Sequence, residues 1–243
     1  TLSKVGDVTA VAPTEDRSAV GRSISTHVDV IDHELGYAIA GTPSDCVVAG
    51  MEVLVPDVDL VVAGCNDGAN LGAYILGRSG TVSAAVEATF FGVPAISVSM
   101  YVPNPEDDRT HPLSQERDSY ANATKATRYL VENAFDAGVF EEADYLNVNV
   151  PPADDGNATA PMEITTPSRV YEMGADRNGN AIELRDKIWD WMADGNIPDP
   201  DGTDRRAVVE NRISVSPLNA PQPSQQFDTL ENLATSYPET QSP

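Results

Sequence analysis

The chain has 243 residues, with 38 acidic against 15 basic side chains and a formal charge of −23. That length can bury a full core, so one domain with appendages is expected. A balance this acidic disfavours non-specific binding to nucleic acid or to an anionic membrane, and no apolar run reaches membrane length.

The carboxylates are scattered through every segment, and Lys4, Lys125 and Lys187 are the lysines. Scattered acid with scarce lysine suits a high-salt cytoplasm, where screening removes self-repulsion. No signal-peptide pattern opens the sequence, so a cytoplasmic protein is expected.

In chain order, residues 7–13 read as a short buried strand ending at Pro13, followed by a polar turn over 14–18. Residues 25–31 and 37–40 alternate around 33–36 as a hairpin. Gly41 to Asp45 breaks the chain, with Ser44 or Asp45 capping a helix over 46–54 that Pro56 ends. The segment 59–99 is the most informative: an apolar strand over 60–63 stops at Gly64, and a loop rich in glycine, asparagine and hydroxyls follows. A helix begins near Thr81 and a second strand spans 95–98. Residues 100–117 form a polar connection. A helix over 118–136 places Tyr120, Ala123, Thr127, Leu130, Val131 and Ala134 near one face. Residues 145–150 are a further strand.

Strands alternating with helices predict an α/β fold, a mostly parallel sheet with helices on both faces. The expected divisions are a core over 1–152, a C-terminal hairpin and oligomerisation region over 153–216, and a Pro/Gln/Ser-rich tail or arm over 217–243. Within the second, 162–170, 181–187 and 208–215 read as short strands and 196–204 as a loop.

Loops at the carboxyl ends of parallel strands bind ligands, and this one offers N–H groups, hydroxyls and amides suited to phosphate or a hard cation. Cys46 and Cys65 are expected to be small buried hydrophobes rather than a disulfide or zinc site. His27, His33 and His111 lack metal or triad spacing. Met51, Phe90 and Phe91 read as core, Glu87 as the partner of a buried arginine, and Trp189 and Trp191 as interface residues.

Several stretches together resemble the SurE (survival protein E) family of metal-dependent nucleotidases. They are Val11-Ala12-Pro13 with Asp16-Arg17-Ser18, residues 41–46 (GTPSDC), residues 64–72 (GCNDGANLG), and Ser79-Gly80-Thr81-Val82 with residues 94–99 (PAISVS). Gly202-Thr203-Asp204 and residues 213–218 (ISVSPL) complete the pattern. The resemblance implies a Rossmann-like fold, a site at the carboxyl edge of the sheet, and a homodimer or homotetramer joined through the C-terminal part. It implies hydrolysis of nucleoside 5′- and 3′-monophosphates by water activated by Mg²⁺ or Mn²⁺. Carried onto this chain, it gives Ser18 and Asn66 as metal ligands, and Gly64, Asn70, Ser79, Gly80 and Thr81 as positions around the substrate phosphate.

Family members open with a strand and an Asn-Asp-Asp-Gly turn whose aspartates are the principal metal ligands. This chain starts at Thr1-Leu2-Ser3-Lys4, aligned just after that turn, so no catalytic residue is assignable within it. A start placed too late or a trimmed chain accounts for this more simply than natural loss. Without that strand, two ladders of backbone groups are expected to lie open. The rival reading is a catalytically silent nucleotide- or phosphate-binding oligomer. A dinucleotide-dependent oxidoreductase is disfavoured, because residues 68–74 (GANLGAY) are not the Gly-x-Gly-x-x-Gly fingerprint.

Overall fold

Three strands with buried centres form the parallel middle of the molecule: β4 (Val61–Asp67), β5 (Ala95–Met100) and β6 (Tyr145–Val150). In this computed structural model, residues 2–101, 120–152 and 160–220 are described. β5 and β6 are buried on both faces and run in unbroken parallel register from Ala95↔Tyr145 to Met100↔Val150. β10 (Ile213–Leu218) lies antiparallel to β6, and β7 (Met162–Ile164) parallel to β10, giving the order β4-β5-β6-β10-β7. β1 (Ala10–Pro13), β2 (Val30–His33) and β3 (Gly36–Ile39) form a separate sheet in the order β1-β3-β2. Among the described residues, β1 and β4 each pair along one edge.

Helices cover both faces of the larger sheet. On one, α4 (Ala121–Asn133) sets Ala123, Ala126 and Leu130 against Ile96, Val98, Leu146 and Val148. On the other, α1 (Pro43–Ala49) and α3 (Gly80–Phe90) pack with Val47, Val82, Ala85 and Ala88 around Ala63, Ala95 and Tyr145. This is the expected α/β class, its mixed sheet mostly parallel.

Local outcomes differ from the sequence reading in several places. The strand read over 7–13 begins at Ala10. The hairpin forms, but its first strand starts at Val30. The helix read from Cys46 starts at Pro43 and is capped by Thr42, whose hydroxyl accepts from the Asp45 N–H while Asp45 reaches back to the Thr42 N–H. Asp45 is thus the reciprocal half of a capping box, not the cap itself. The helix ends in a π turn over Gly50–Leu54.

β4 does not stop at Gly64. It bulges between Ala63 and Asn66, then resumes pairing at Asn66↔Ser99. Three short helices lie where the sequence predicts none, α2 (Ala73–Leu76), α5 (Val139–Glu142) and α6 (Lys187–Ala193). The strand read over 208–215 is α7 (Asp204–Val209) followed by β10. The strand read over 162–170 shortens to β7. β9 (Ala181–Asp186) pairs with β8 (Met173–Asn178) in a detached two-stranded sheet and runs into α6 (Lys187–Ala193).

Phe90 and Phe91 are exposed rather than core, and Arg22 lies over the Phe90 ring. Glu87 pairs with that same Arg22, which is half exposed rather than buried. Cys46 is buried and Cys65 exposed, and both are free thiols. Burial pushes the Cys46 thiol up to about 12, with the Asp45 charge adding to it. No helix among the described residues is long and apolar enough to cross a membrane. The tail beyond residue 220, the connection over 102–119 and His111 lie outside the described residues.

Candidate functional site

The carboxyl ends of β1 and β4 open into a cleft of about 470 Å³. Its lining is the turn over 13–19, Pro43 at the start of α1, then Asn66, Asp67 and Asn70, and finally Ser79, Gly80 and Thr81 at the start of α3. Six of the seven positions singled out in the sequence therefore meet in one place. Gly64 does not line the cleft. It sits in the β4 bulge at φ +125, where an added Cβ would meet the Val98 carbonyl oxygen at 2.3 Å. Only glycine lets the two strands approach that closely while taking that angle.

Each wall has a local cause. Ser18 is exposed on the turn after Pro13, and its hydroxyl donates to Asp16 at 3.3 Å, leaving its lone pairs for another partner. Three contacts pin that turn from behind. The Gly21 N–H donates to the Arg78 carbonyl at 2.9 Å, Arg22 Nε pairs with Glu87 of α3 at 3.0 Å, and the Ser25 N–H donates to Asp45 at 2.7 Å. The Asn66 side-chain nitrogen donates to the Gly68 carbonyl at 2.6 Å. That fixes the amide so that its oxygen is the atom left to accept or coordinate.

Ser79 is the N-cap of α3, its hydroxyl accepting from the Val82 N–H at 3.1 Å. The N–H groups of Gly80 and Thr81 lie in the first helical turn, where no intrahelical acceptor exists, and the helix dipole favours an anion. A Cβ at Gly80 would come within 3.0 Å of Pro43 Cγ, so glycine also brings the two helix starts together.

The loop over 68–72 is clamped between the sheet and the C-terminal segment. Ala69 and Leu71 bury their side chains beside Ile188, Met192 and Val208. The Gly72 N–H donates to Asp204 at 2.6 Å, and Asp204 also takes the N–H groups of Ser168 and Arg205. Burial pushes the Asp204 carboxyl up, against the pull of those donors and of the Arg205 charge. Arg205 is buried and pairs with buried Asp199 at 2.6 Å. Burial likewise works to raise the Asp45 carboxyl, but hydrogen bonds from Ser25 and Thr42 outweigh it and hold that group below its ordinary value.

Sequence reasoning missed Glu15 and Asp67, which also line the cleft. The acidic neighbour of Asn66 was the available signal for Asp67. The oxygens gathered here, a hydroxyl, an amide carbonyl and scattered carboxylates, are of the type that hard divalent cations take. Among the described residues, no group of three or more His, Cys, Asp or Glu side chains is placed to hold a metal ion. The donor set fits a hard cation in kind, and carboxylate ligands are what it is short of.

The family model described as "Survival protein SurE" matches residues 1–173. The protein named 5′-nucleotidase SurE in Haloarcula marismortui is 63% identical, over 97% of this chain and 87% of its own length. The one so named in Natronomonas pharaonis is 59% identical over 97% and 91%, and that of Geotalea daltonii 34% over 90% and 84%. Among solved structures, the SurE protein from Aquifex aeolicus superposes with a TM-score of 0.73 at 26% identity, covering 91% of this chain and 86% of that one.

Proposed function

The chain belongs to the survival protein SurE family, and from that premise we propose that it is a metal-dependent phosphatase releasing phosphate from nucleoside 5′-monophosphates, and from 3′-monophosphates. The 5′-nucleotidase activity is supported by its relatives' names at 53–63% identity over nearly the whole chain. The observation that carries the site is the meeting, in one cleft, of the Ser18 turn, the Asn66 amide and the start of α3.

In this reading the Ser18 hydroxyl and the Asn66 carbonyl oxygen hold the cation, with Asp16 and Asp67 adding negative charge at the same cleft. A divalent ion such as Mg²⁺ or Mn²⁺ would there polarise the phosphoryl group and lower the pKa of the attacking water. The Ser79 hydroxyl and the N–H groups of Gly80 and Thr81 take the phosphate oxygens and meet the charge that builds up on them. Asn70 spends its side-chain nitrogen on Ser99, so its part is to shape the loop while lining the cleft. Gly64 acts on the strand rather than on the phosphate. No side chain of this chain is assigned as nucleophile or general base.

The exposed, apolar-edged β8–β9 hairpin supports a homodimer or homotetramer, since an isolated two-stranded sheet is marginal alone. The substrate is then a free nucleotide in the cytoplasm, with neither nucleic acid nor membrane as partner.

The test is phosphate release from AMP by the full-length protein, with Mn²⁺ and with chelator. Release that needs the ion and is lost in Asn66→Ala supports the reading. Nucleotide binding without turnover under every metal would establish the silent reading instead.

A further inference from the structure

β5 and β6 are buried on both faces, yet they are not apolar runs. Ser97, Ser99, Asn147 and Asn149 alternate with Ile96, Val98, Leu146 and Val148, and all are essentially inaccessible. Strands covered on both sides are ordinarily apolar throughout, and buried carboxamides are costly unless fully hydrogen-bonded. What satisfies these is the backbone of Asn70. The Asn149 carboxamide accepts from the Asn70 N–H at 2.7 Å and donates to the Asn70 carbonyl at 3.1 Å, taking both groups as a neighbouring strand would. Asn147 donates to the same carbonyl at 2.9 Å, and its own oxygen is held by the Ser97 hydroxyl at 3.0 Å.

We infer that Asn149, backed by Asn147 and Ser97, is a positioning residue for the cleft, its carboxamide fixing the Asn70 peptide so that the Asn66–Gly72 loop presents one geometry to the substrate. The catalytic side of this rests on the nucleotidase reading; the clamp itself does not. The groups bonded to the Asn149 carboxamide are the neutral N–H and carbonyl of Asn70, and the charged groups bonded to the same loop are Asp204, with Arg205 beside it, at Gly72.

Asn149→Asp tests it. The aspartate keeps an oxygen for the Asn70 N–H but sets a second oxygen against the Asn70 carbonyl, and protonation turns that oxygen back into a donor. Expected is a fall of about a hundredfold in kcat/KM for AMP at pH 8, carried mostly by kcat, with the deficit relative to wild type shrinking about tenfold toward pH 5.5. Amide exchange over 68–72 should quicken while exchange in β5 stays unchanged. Ser97→Ala, a milder change, should lower kcat by about threefold and quicken the same loop.

Variant activity within twofold of wild type at pH 8 overturns the inference. So does a loss independent of pH accompanied by faster exchange throughout the sheet. If wild type itself releases no phosphate, the nucleotidase reading fails, and exchange over 68–72 then decides the clamp alone: quickened in the variant it stands, unchanged it falls.

Discussion

Asp45→Ala should loosen the cleft from behind without touching it. Asp45 is 4% exposed and accepts three short hydrogen bonds, from the Ser25 N–H at 2.7 Å, the Ser25 hydroxyl at 2.8 Å and the Thr42 N–H at 2.8 Å. Losing half a capping box costs about 1 kcal/mol, and losing the two hydrogen bonds from Ser25, itself exposed to water, about 1–2 kcal/mol more. The sum, about 2–3 kcal/mol, corresponds in a chain of this size to a fall of about 4–12 °C in Tm.

The pH dependence is equally specific. The folded-state pKa of Asp45 lies below the ordinary 3.8. Its contribution is therefore complete above that value and disappears as pH falls through the folded-state pKa. The gap between wild type and Asp45→Asn, read by urea denaturation, should stay constant from pH 8 to 5 and close below about pH 4. An Asp45→Ala cost under 1 kcal/mol, or a gap that already narrows between pH 8 and 5, would refute the reasoning.

Gly64→Ala should cost about 3 kcal/mol or more in urea denaturation, because the new Cβ collides with the Val98 carbonyl at an angle that L residues avoid. The charge of −23 predicts a Tm that climbs steadily between about 0.2 M and 2 M KCl as repulsion is screened; a flat profile by differential scanning calorimetry would contradict it. Placing aspartates at Ile182 and Leu184, which are 67% and 68% exposed on the β8–β9 hairpin, should shift the protein to a smaller species in size-exclusion chromatography with light scattering. An unchanged mass would remove the hairpin from the proposed interface.

The parts of the fold that were legible are those whose residues face one environment along their whole length. β5 and β6 announce themselves by apolar residues at every second position, and α4 by alanines and Leu130 at helical spacing. Elements whose character depends on a distant partner were not. β8 (MGADRN) is polar and exposed, and its pairing with β9 leaves no alternation to see. Val208 and Val209 sit close to the apolar run from Ile213 and were read with it. The fold instead closes a helix there, around Asp204 bonded to Gly72, 132 residues away in sequence.

The site was legible as a set of loop residues, since glycine, asparagine and hydroxyls after a strand carry their chemistry locally. Its support was not. Ser99 and Asn149 are polar positions in strands expected to be covered on both faces, and nothing local to either strand shows that Asn70 supplies their partners. Gly64 looked like a strand end because a bulge cannot be told from a stop without the partner strand.

The central claim is that a cation is held where the turn after β1 meets the end of β4, beside the start of α3. Anomalous diffraction at the manganese edge, from crystals of the protein grown with Mn²⁺ and AMP, tests it most directly. The account predicts one strong peak with Asn66 Oδ1 and Ser18 Oγ at about 2.1–2.3 Å, and the AMP phosphate against the N–H groups of Gly80 and Thr81. A peak elsewhere, or a phosphate seated away from α3, would contradict it.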